Sequence, residues 1–354
     1  MQIERSGTFP NLTIGIDIGD RSCAVCVVGG SGEVVRRDRV RTEEAELRGW
    51  FDGWERARVV IEAGTHSPWM SRMIESLGHE VVVANPSRMR GTGKRKTDRV
   101  DAKYLARQGR AYVRLCYPVR HRGEEAQRGL IAIKSRDVLV RSRGSLIRSV
   151  RGSAKSLGVR IGKCSAESFV AQARRDFSED LERMFEGILR AIEELSREIR
   201  SYDKAIERSC EEEHPETKLL QQVAGVGPLT SLAYVLIIDD PGRFRRSRTV
   251  GAYVGLIPGR NDSGERSPEL PIHKEGNVLL RRLLVQSAHY ILGPFGPDTD
   301  LRRWGLRLAD QGGARAKKRA IVAVARKLAV LLHRLWVTAE VYEPLRKTEL
   351  KRVA

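Results

Sequence analysis

The sequence predicts an α/β N-terminal domain over residues 11–165, a coiled-coil connector over 166–215 and a mainly α-helical C-terminal domain over 216–345. Three observations predict it. Short alternating apolar runs interleave with helix-period segments as far as residue 84. A heptad seam then occupies residues 181–206. Beyond it, apolar helical stretches alternate with loops punctuated by glycine and proline. A chain of 354 residues is long enough to bury a core in each of two domains.

Residues 12–18 alternate, with Leu12, Ile14, Ile16 and Ile18 on one side and Thr13, Gly15 and Asp17 on the other. That is a half-buried strand. Strand-like runs follow at 24–28 and 33–40, then a helix at 42–54, a strand at 58–62, a helix at 68–77 and a strand at 80–84. The order β-β-β-α-β-α-β, with a long helix after it, describes a mixed sheet carrying helices on its faces. It also describes the ribonuclease H-like fold. A basic loop, 87–96, precedes a helix opening near Thr97, and the Arg-rich residues 120–160 read as helical.

Leu181, Phe185, Ile188, Ile192, Leu195, Ile199, Tyr202 and Ile206 step alternately by four and three. Such a seam implies a coiled coil, within the chain or between chains. A single amphipathic helix packed on its own domain is the plainer alternative. After His214-Pro215 the run LLQQVAGVGPLTSLAYVLIID reads as helix, Gly-Val-Gly hairpin, helix. GAYVGLIPGRNDSGERS is loop-rich, and helices follow at 277–292 and 316–337.

With 64 Lys+Arg against 45 Asp+Glu, the formal net charge is +19. Such a field repels itself unless a polyanion neutralises it, which points to DNA or RNA. The first twelve residues lack the apolar stretch of a signal peptide. The apolar region 320–337 is interrupted by Arg326, Lys327, His333 and Arg334, so no membrane span is expected. The five cysteines have no framework spacing, which fits a reduced, cytoplasmic setting. Cys23 and Cys26 mimic a CxxC pair, but three residues apart on a strand they point to opposite faces.

Four carboxylates carry the chemistry. Asp17 lies mid-strand opposite the isoleucines, where an unpaired acid is costly to bury. Glu62 ends RVVIEAG, where strand ends open into a crevice, and Asp98 and Asp101 of KTDRVDAKYLA share one helix face. Like charges so placed repel unless a cation lies between them. Oxygen-only ligation suits Mg²⁺ or Mn²⁺, and two such ions clamp the attacking and leaving oxygens in phosphoryl transfer. Each acid also has a plainer reading. Asp98 suits a helix N-terminus, Asp101 has Lys94 and Arg99 nearby as partners, and a strand-end Glu is often a surface acid. It is the ordered set that points to metal.

The segments GIDIG, IEAG, TDRVDAKYLA, GVGPLT, GAYVGLIPGRNDSGE and HKEGNVLLRRLLVQSAHYIL occur in this order from about residue 12 to beyond 290. Together they resemble the IS110 family of insertion-sequence transposases, the bridge-RNA-guided recombinases related to the Piv invertase. The resemblance implies a RuvC-like domain whose acids are Asp17, Glu62, Asp98 and Asp101. It also implies a serine that attacks the DNA phosphodiester and becomes covalently joined to it; the matching residue is Ser263. Donor and target DNA, a guide RNA and a homo-oligomer, dimer or tetramer, are implied as partners. So is a composite site completed within one subunit or between two.

From the residues alone, the Asn-Asp-Ser-Gly turn exposes the Ser263 hydroxyl, and Gly264 lets a phosphate approach the backbone. Ordinary loop chemistry explains the same tripeptide. No histidine is an obvious base: His273 is the nearest, and His289 lies on a helix. Gly225 and Gly227 resemble a helix-hairpin-helix, whose N–H groups hold phosphate without reading sequence. Lys274, Asn277, Arg281 and Arg282, and the loop cations Arg88, Arg90, Lys94, Arg95 and Lys96, are candidate contacts to nucleic-acid backbone. A solvated face explains any one of these cations, though less easily the whole distribution, and a plain helix–helix turn explains the two glycines.

Other function classes remain in view. The four acids alone would serve a metal nuclease that uses water. GIDIG also resembles the first phosphate loop of the actin and sugar-kinase fold, but no second glycine-rich phosphate loop follows. GTGKRKT fails as a P-loop, since Arg88 and Arg95 stand where glycine and Ser/Thr are needed. A catalytically silent nucleic-acid-binding protein would not need all four acids.

Overall fold

The structure, a computed structural model, describes residues 12–89, 98–259 and 270–346. The chain divides into two compact units, Met1–Arg122 and Gly123–Ala354. The first contains β1 (Thr13–Ile18), β2 (Ser22–Val28), β3 (Val34–Arg41), α1 (Glu44–Phe51), β4 (Arg58–Glu62), α2 (Ser67–Ser76), β5 (Glu80–Ala84) and α3 (Asp98–Ala111). Every strand predicted from the sequence is present, in the predicted order.

The five strands form one mixed sheet in the order β3-β2-β1-β4-β5. β1 pairs antiparallel with β2 and parallel with β4; β2–β3 is antiparallel and β4–β5 parallel. Period-two alternation sorts the side chains onto two faces. Ile14, Ile16, Val25, Val59 and Ile61 pack on Leu47 and Phe51 of α1 and Met70 and Ile74 of α2. On the opposite face, Ala24, Cys26 and Val28 meet Ala102 and Ala106 of α3, and Val60 and Val82 meet Leu105. Cys23 and Cys26 fall into different clusters, as the strand spacing requires. Burial pushes the Cys23 thiol pKa up.

The second unit is helical: α4 (Glu124–Ser156), α5 (Phe169–Asp176), α6 (Glu179–Glu212), α7 (Thr217–Gln221), α8 (Pro228–Ile238), α9 (Val250–Tyr253), α10 (Val278–Leu292), α11 (Asp300–Asp310) and α12 (Gly313–Thr338). Antiparallel packing of α4 on α6 shows in the matched pairs Arg136–Asp203 at 2.5 Å and Arg143–Ser196 at 3.0 Å. The buried line on α6 is Leu189, Ile192, Ser196, Ile199, Ile206 and Cys210. It shares Ile192, Ile199 and Ile206 with the heptad seam but is rotated from it, so Ile188, Leu195 and Tyr202 are only half-buried. The seam thus meets α4 of its own chain, within the second compact unit.

A separate core surrounds α8, whose residues from Thr230 to Ile238 are all buried, so it lacks a polar face. Tyr234, wholly buried, donates its hydroxyl to the Ala329 carbonyl at 2.7 Å and so leaves no orphan polar atom. Among the described residues no helix is long and apolar enough to cross a membrane.

Candidate functional site

The carboxylate edge is built by strand register. Ile16 sits beside Ile61 across the parallel β1–β4 pair, and both enter the α1/α2 core. Alternation therefore turns the next residues, Asp17 and Glu62, to the α3 face at the C-terminal ends of adjacent strands. Both are half-buried.

Two glycines draw α3 onto that face. A Cβ on Gly15 would collide with the Ala102 carbonyl oxygen and stand 2.5 Å from the Ala106 nitrogen. A Cβ on Gly109 would strike the Val60 side chain and lie 3.7 Å from Thr13 Cγ2. With Gly109 over Thr13 and Ala102 over Gly15, the helix runs back along β1, so its first turn comes to the Asp17 end. Asp98 opens that turn and Asp101 completes it. Asp101 is half-buried; the side chain of Asp98 lies outside the described residues. The strand glycine was the sequence signal for this close approach.

Among the described residues, no group of three or more His, Cys, Asp or Glu side chains is gathered tightly enough to hold a metal ion. Asp17, Glu62 and Asp101 share an edge without forming a closed shell. Their donors are carboxylate oxygens, which fit a hard divalent cation such as Mg²⁺ or Mn²⁺ rather than a sulfur-seeking one.

Just beyond these strand ends lie residues the sequence reading did not single out. Trp69 donates its indole N–H to His66 Nδ1 at 3.1 Å, and His66 Nε2 lies 3.4 Å from Asp20 Oδ1. Ser67, wholly buried, contacts His121 Nε2 at 2.9 Å and donates to the Gly64 carbonyl at 2.8 Å. Burial, then the charges of Arg72 and Arg122, pull the His121 pKa below its ordinary value. Arg88 is exposed on this unit, whereas Arg90, Lys94, Arg95 and Lys96 lie outside the described residues.

In the second unit, Ser263 and Gly264 also lie outside the described residues. The segments flanking them pair through an antiparallel bridge between Pro258 and Ile272. Gly259 N–H donates to Pro271 O at 3.0 Å and His273 N–H to Ile257 O at 3.2 Å. His273 Nδ1 accepts from Glu275 N–H at 3.2 Å, and His289 is exposed.

Several basic-cluster candidates have structural tasks. Arg281 donates to the carbonyls of Val254 at 3.1 Å and Glu275 at 3.3 Å, stapling two loops together. Asn277 caps α10 by accepting from Leu280 N–H at 3.0 Å. Arg282 is paired with Asp137, while Lys274 is exposed with φ +57°. Gly225 has φ +84° and lies against Tyr290 and the Ser287 carbonyl, where a side chain would not fit. Gly227 precedes α8, and nothing crowds its Cα. A cavity of about 480 Å³ opens there, lined by Gln221, Gly225, Gly227, Thr230, Gln286 and Tyr290.

Comparison with known proteins is consistent across both units. Residues 14–156 match a family model described as transposase, the DEDD group of IS110, and residues 217–299 match the transposase IS116/IS110/IS902 family. The transposase for insertion sequence element IS1111A of Coxiella burnetii is 29% identical over 93% of this chain and 90% of its own length. A Pseudomonas aeruginosa protein named "Probable family 20 transposase" is 25% identical over 94% and 98%. The transposase for insertion sequence element IS1328 of Yersinia enterocolitica is 25% identical over 79% and 84%. With both halves matched in the same order, the chain belongs to the IS110 family of insertion-sequence transposases.

Proposed function

We propose that this protein cuts and rejoins DNA at a site combining a ribonuclease H-like carboxylate edge with the Ser263 hydroxyl. The observation that carries the proposal is the α3 packing on Gly15, which brings the first turn of that helix to the edge bearing Asp17 and Glu62. The strand order and mixed pairing support the ribonuclease H-like, RuvC-like assignment. The domain division at 11–165, 166–215 and 216–345 remains part of the reading, with α6 supplying the coiled-coil connector.

Asp17, Glu62, Asp98 and Asp101 would hold the divalent ion. Bound there, Mg²⁺ or Mn²⁺ supplies positive charge to the scissile phosphate as negative charge builds on its oxygens. The Ser263 oxygen attacks phosphorus, giving up its proton, and a serine–phosphate ester forms as the phosphorus–oxygen bond to the leaving strand breaks. That strand departs as an alcohol after taking up a proton. Attack by the incoming strand's hydroxyl reverses the exchange and frees the serine. The α8 N-terminus beside Gly227 and the exposed cations Arg88 and Lys274 bind backbone phosphates. Donor and target are paired through a guide RNA, and two or four subunits assemble around them.

The test incubates purified protein with Mg²⁺, the RNA from its flanking element and labelled DNA. Wild type is expected to form covalent protein–DNA adducts; Ser263→Ala and Asp17→Asn are expected to lose them by more than about 10³-fold. Adducts persisting in Ser263→Ala overturn the serine assignment. Cleavage without any adduct supports a water-using nuclease instead.

A further inference from the structure

Residues 138–166 contain seven cations and no Asp or Glu. Two of the seven work inside the fold. Arg143 is buried against Glu167 and Ser196, and Arg151 donates to the carbonyls of Ile161 at 2.8 Å and Gly162 at 3.1 Å. The other five, Arg141, Arg148, Lys155, Arg160 and Lys163, are exposed. Arg141 makes a surface pair with Asp137, whereas the other four meet no acid among the described residues.

Arg141, Arg148 and Lys155 are spaced by seven on α4. Two helical turns separate neighbours, so they line one side about 10 Å apart. Beside that row, Ser142, Ser145, Ser149, Gly152 and Ser156 are all exposed and all small. Short side chains let a long, flat partner approach the α4 backbone, and the hydroxyls can donate to it. The arrangement rejects a second copy of itself, because cation row would meet cation row. It fits a polyanion.

We propose that this face of α4 lies along the phosphate backbone of duplex DNA, as a sequence-independent contact apart from the catalytic edge. B-form DNA suits it, because its major groove and flanking phosphates admit a helix. The A-form major groove is too deep and narrow for one. The proposal rests on the DNA-recombining reading above.

The experiment measures binding of the full-length protein to a random-sequence DNA duplex by fluorescence anisotropy over a range of salt. Arg141→Gln/Arg148→Gln/Lys155→Gln is compared with wild type, and its melting temperature checks that it still folds. Each lost phosphate contact lowers the slope of log K against log salt by about 0.9, so a fall of about 2.7 is expected, equal on unrelated sequences. An unchanged slope overturns the proposal, as does a loss confined to an RNA duplex. Adduct formation is scored separately on wild type. Adducts with an unchanged variant slope sink only the α4 face; a lowered slope without wild-type adducts sinks only the recombinase reading.

Discussion

The two units put charged side chains to opposite uses. In the first, β1 and β4 carry Asp17 and Glu62 to one edge, and the bare Gly15 surface lets α3 add its first turn. In the second, several arginines are braces, among them Arg281, a candidate phosphate contact from the sequence. Arg281 staples two loops, Arg143 is buried on Ser196, and Arg302 reaches the carbonyls of Ile291 at 2.5 Å and Gly293 at 2.6 Å behind α10. A guanidinium has five donors in a rigid fork, so it satisfies loop carbonyls that a helix end leaves open. A charged residue in a motif is therefore a site candidate only once its packing task is known.

Gly15→Ala tests the first half of that contrast and carries the largest expected effect. Its Cβ meets helix backbone, which cannot give as a side chain does, so a loss of about 1–3 kcal/mol is expected in denaturant unfolding. Metal-dependent cleavage should fall with it although every carboxylate remains. Gly109→Ala, which meets the side chains of Val60 and Thr13 rather than backbone, should lose less. If Gly15→Ala keeps full stability and activity, α3 does not depend on that contact.

Arg281→Met tests the second half. Removing a charged donor from two carbonyls should cost about 1–3 kcal/mol of stability. As a brace, Arg281 should leave the salt dependence of DNA binding unmoved. A slope lowered by about 0.9 would instead make it a phosphate contact.

The smallest expected effect is a pH dependence confined to the first unit. His79 is buried and accepts the Ala57 N–H at Nδ1, at 3.2 Å, so its neutral form is the one that fits. Burial lowers its pKa below the ordinary 6.5. The unfolded chain then takes up the proton first as pH falls. Stability is fully present above about pH 6.5 and declines below it, through the depressed folded value. Melting temperatures of wild type and His79→Asn should differ most at neutral pH and draw together as the pH falls below 6.5.

Much of the first unit was legible because period-two alternation reports which residues face a core, and the sheet obeys it from Ile14 to Ala84. Asp17 stood out as a candidate because a carboxylate on a core strand is costly and so conspicuous. The pairing of Trp69 with His66 and Asp20 was not, since each is unremarkable alone and they meet only where two loops leave the sheet. In the second unit, the heptad seam announced that α6 packs on another helix but not which one. Its partner is α4, and the buried line is turned because small residues such as Ser196 admit Arg143.

The sequence by itself determined the order of strands and helices and the excess of positive charge, and it singled out four candidate acids. Tertiary structure alone decided that Asp17, Glu62 and the first turn of α3 approach one edge, that Arg281, Arg282 and Asn277 have partners within the fold, and that one side of α4 is left as an exposed basic row. The physical reason is range. Alternation and helical period are local and written in neighbouring residues, whereas strand register, helix crossing and the partner of an arginine depend on residues brought together from distant parts of the chain.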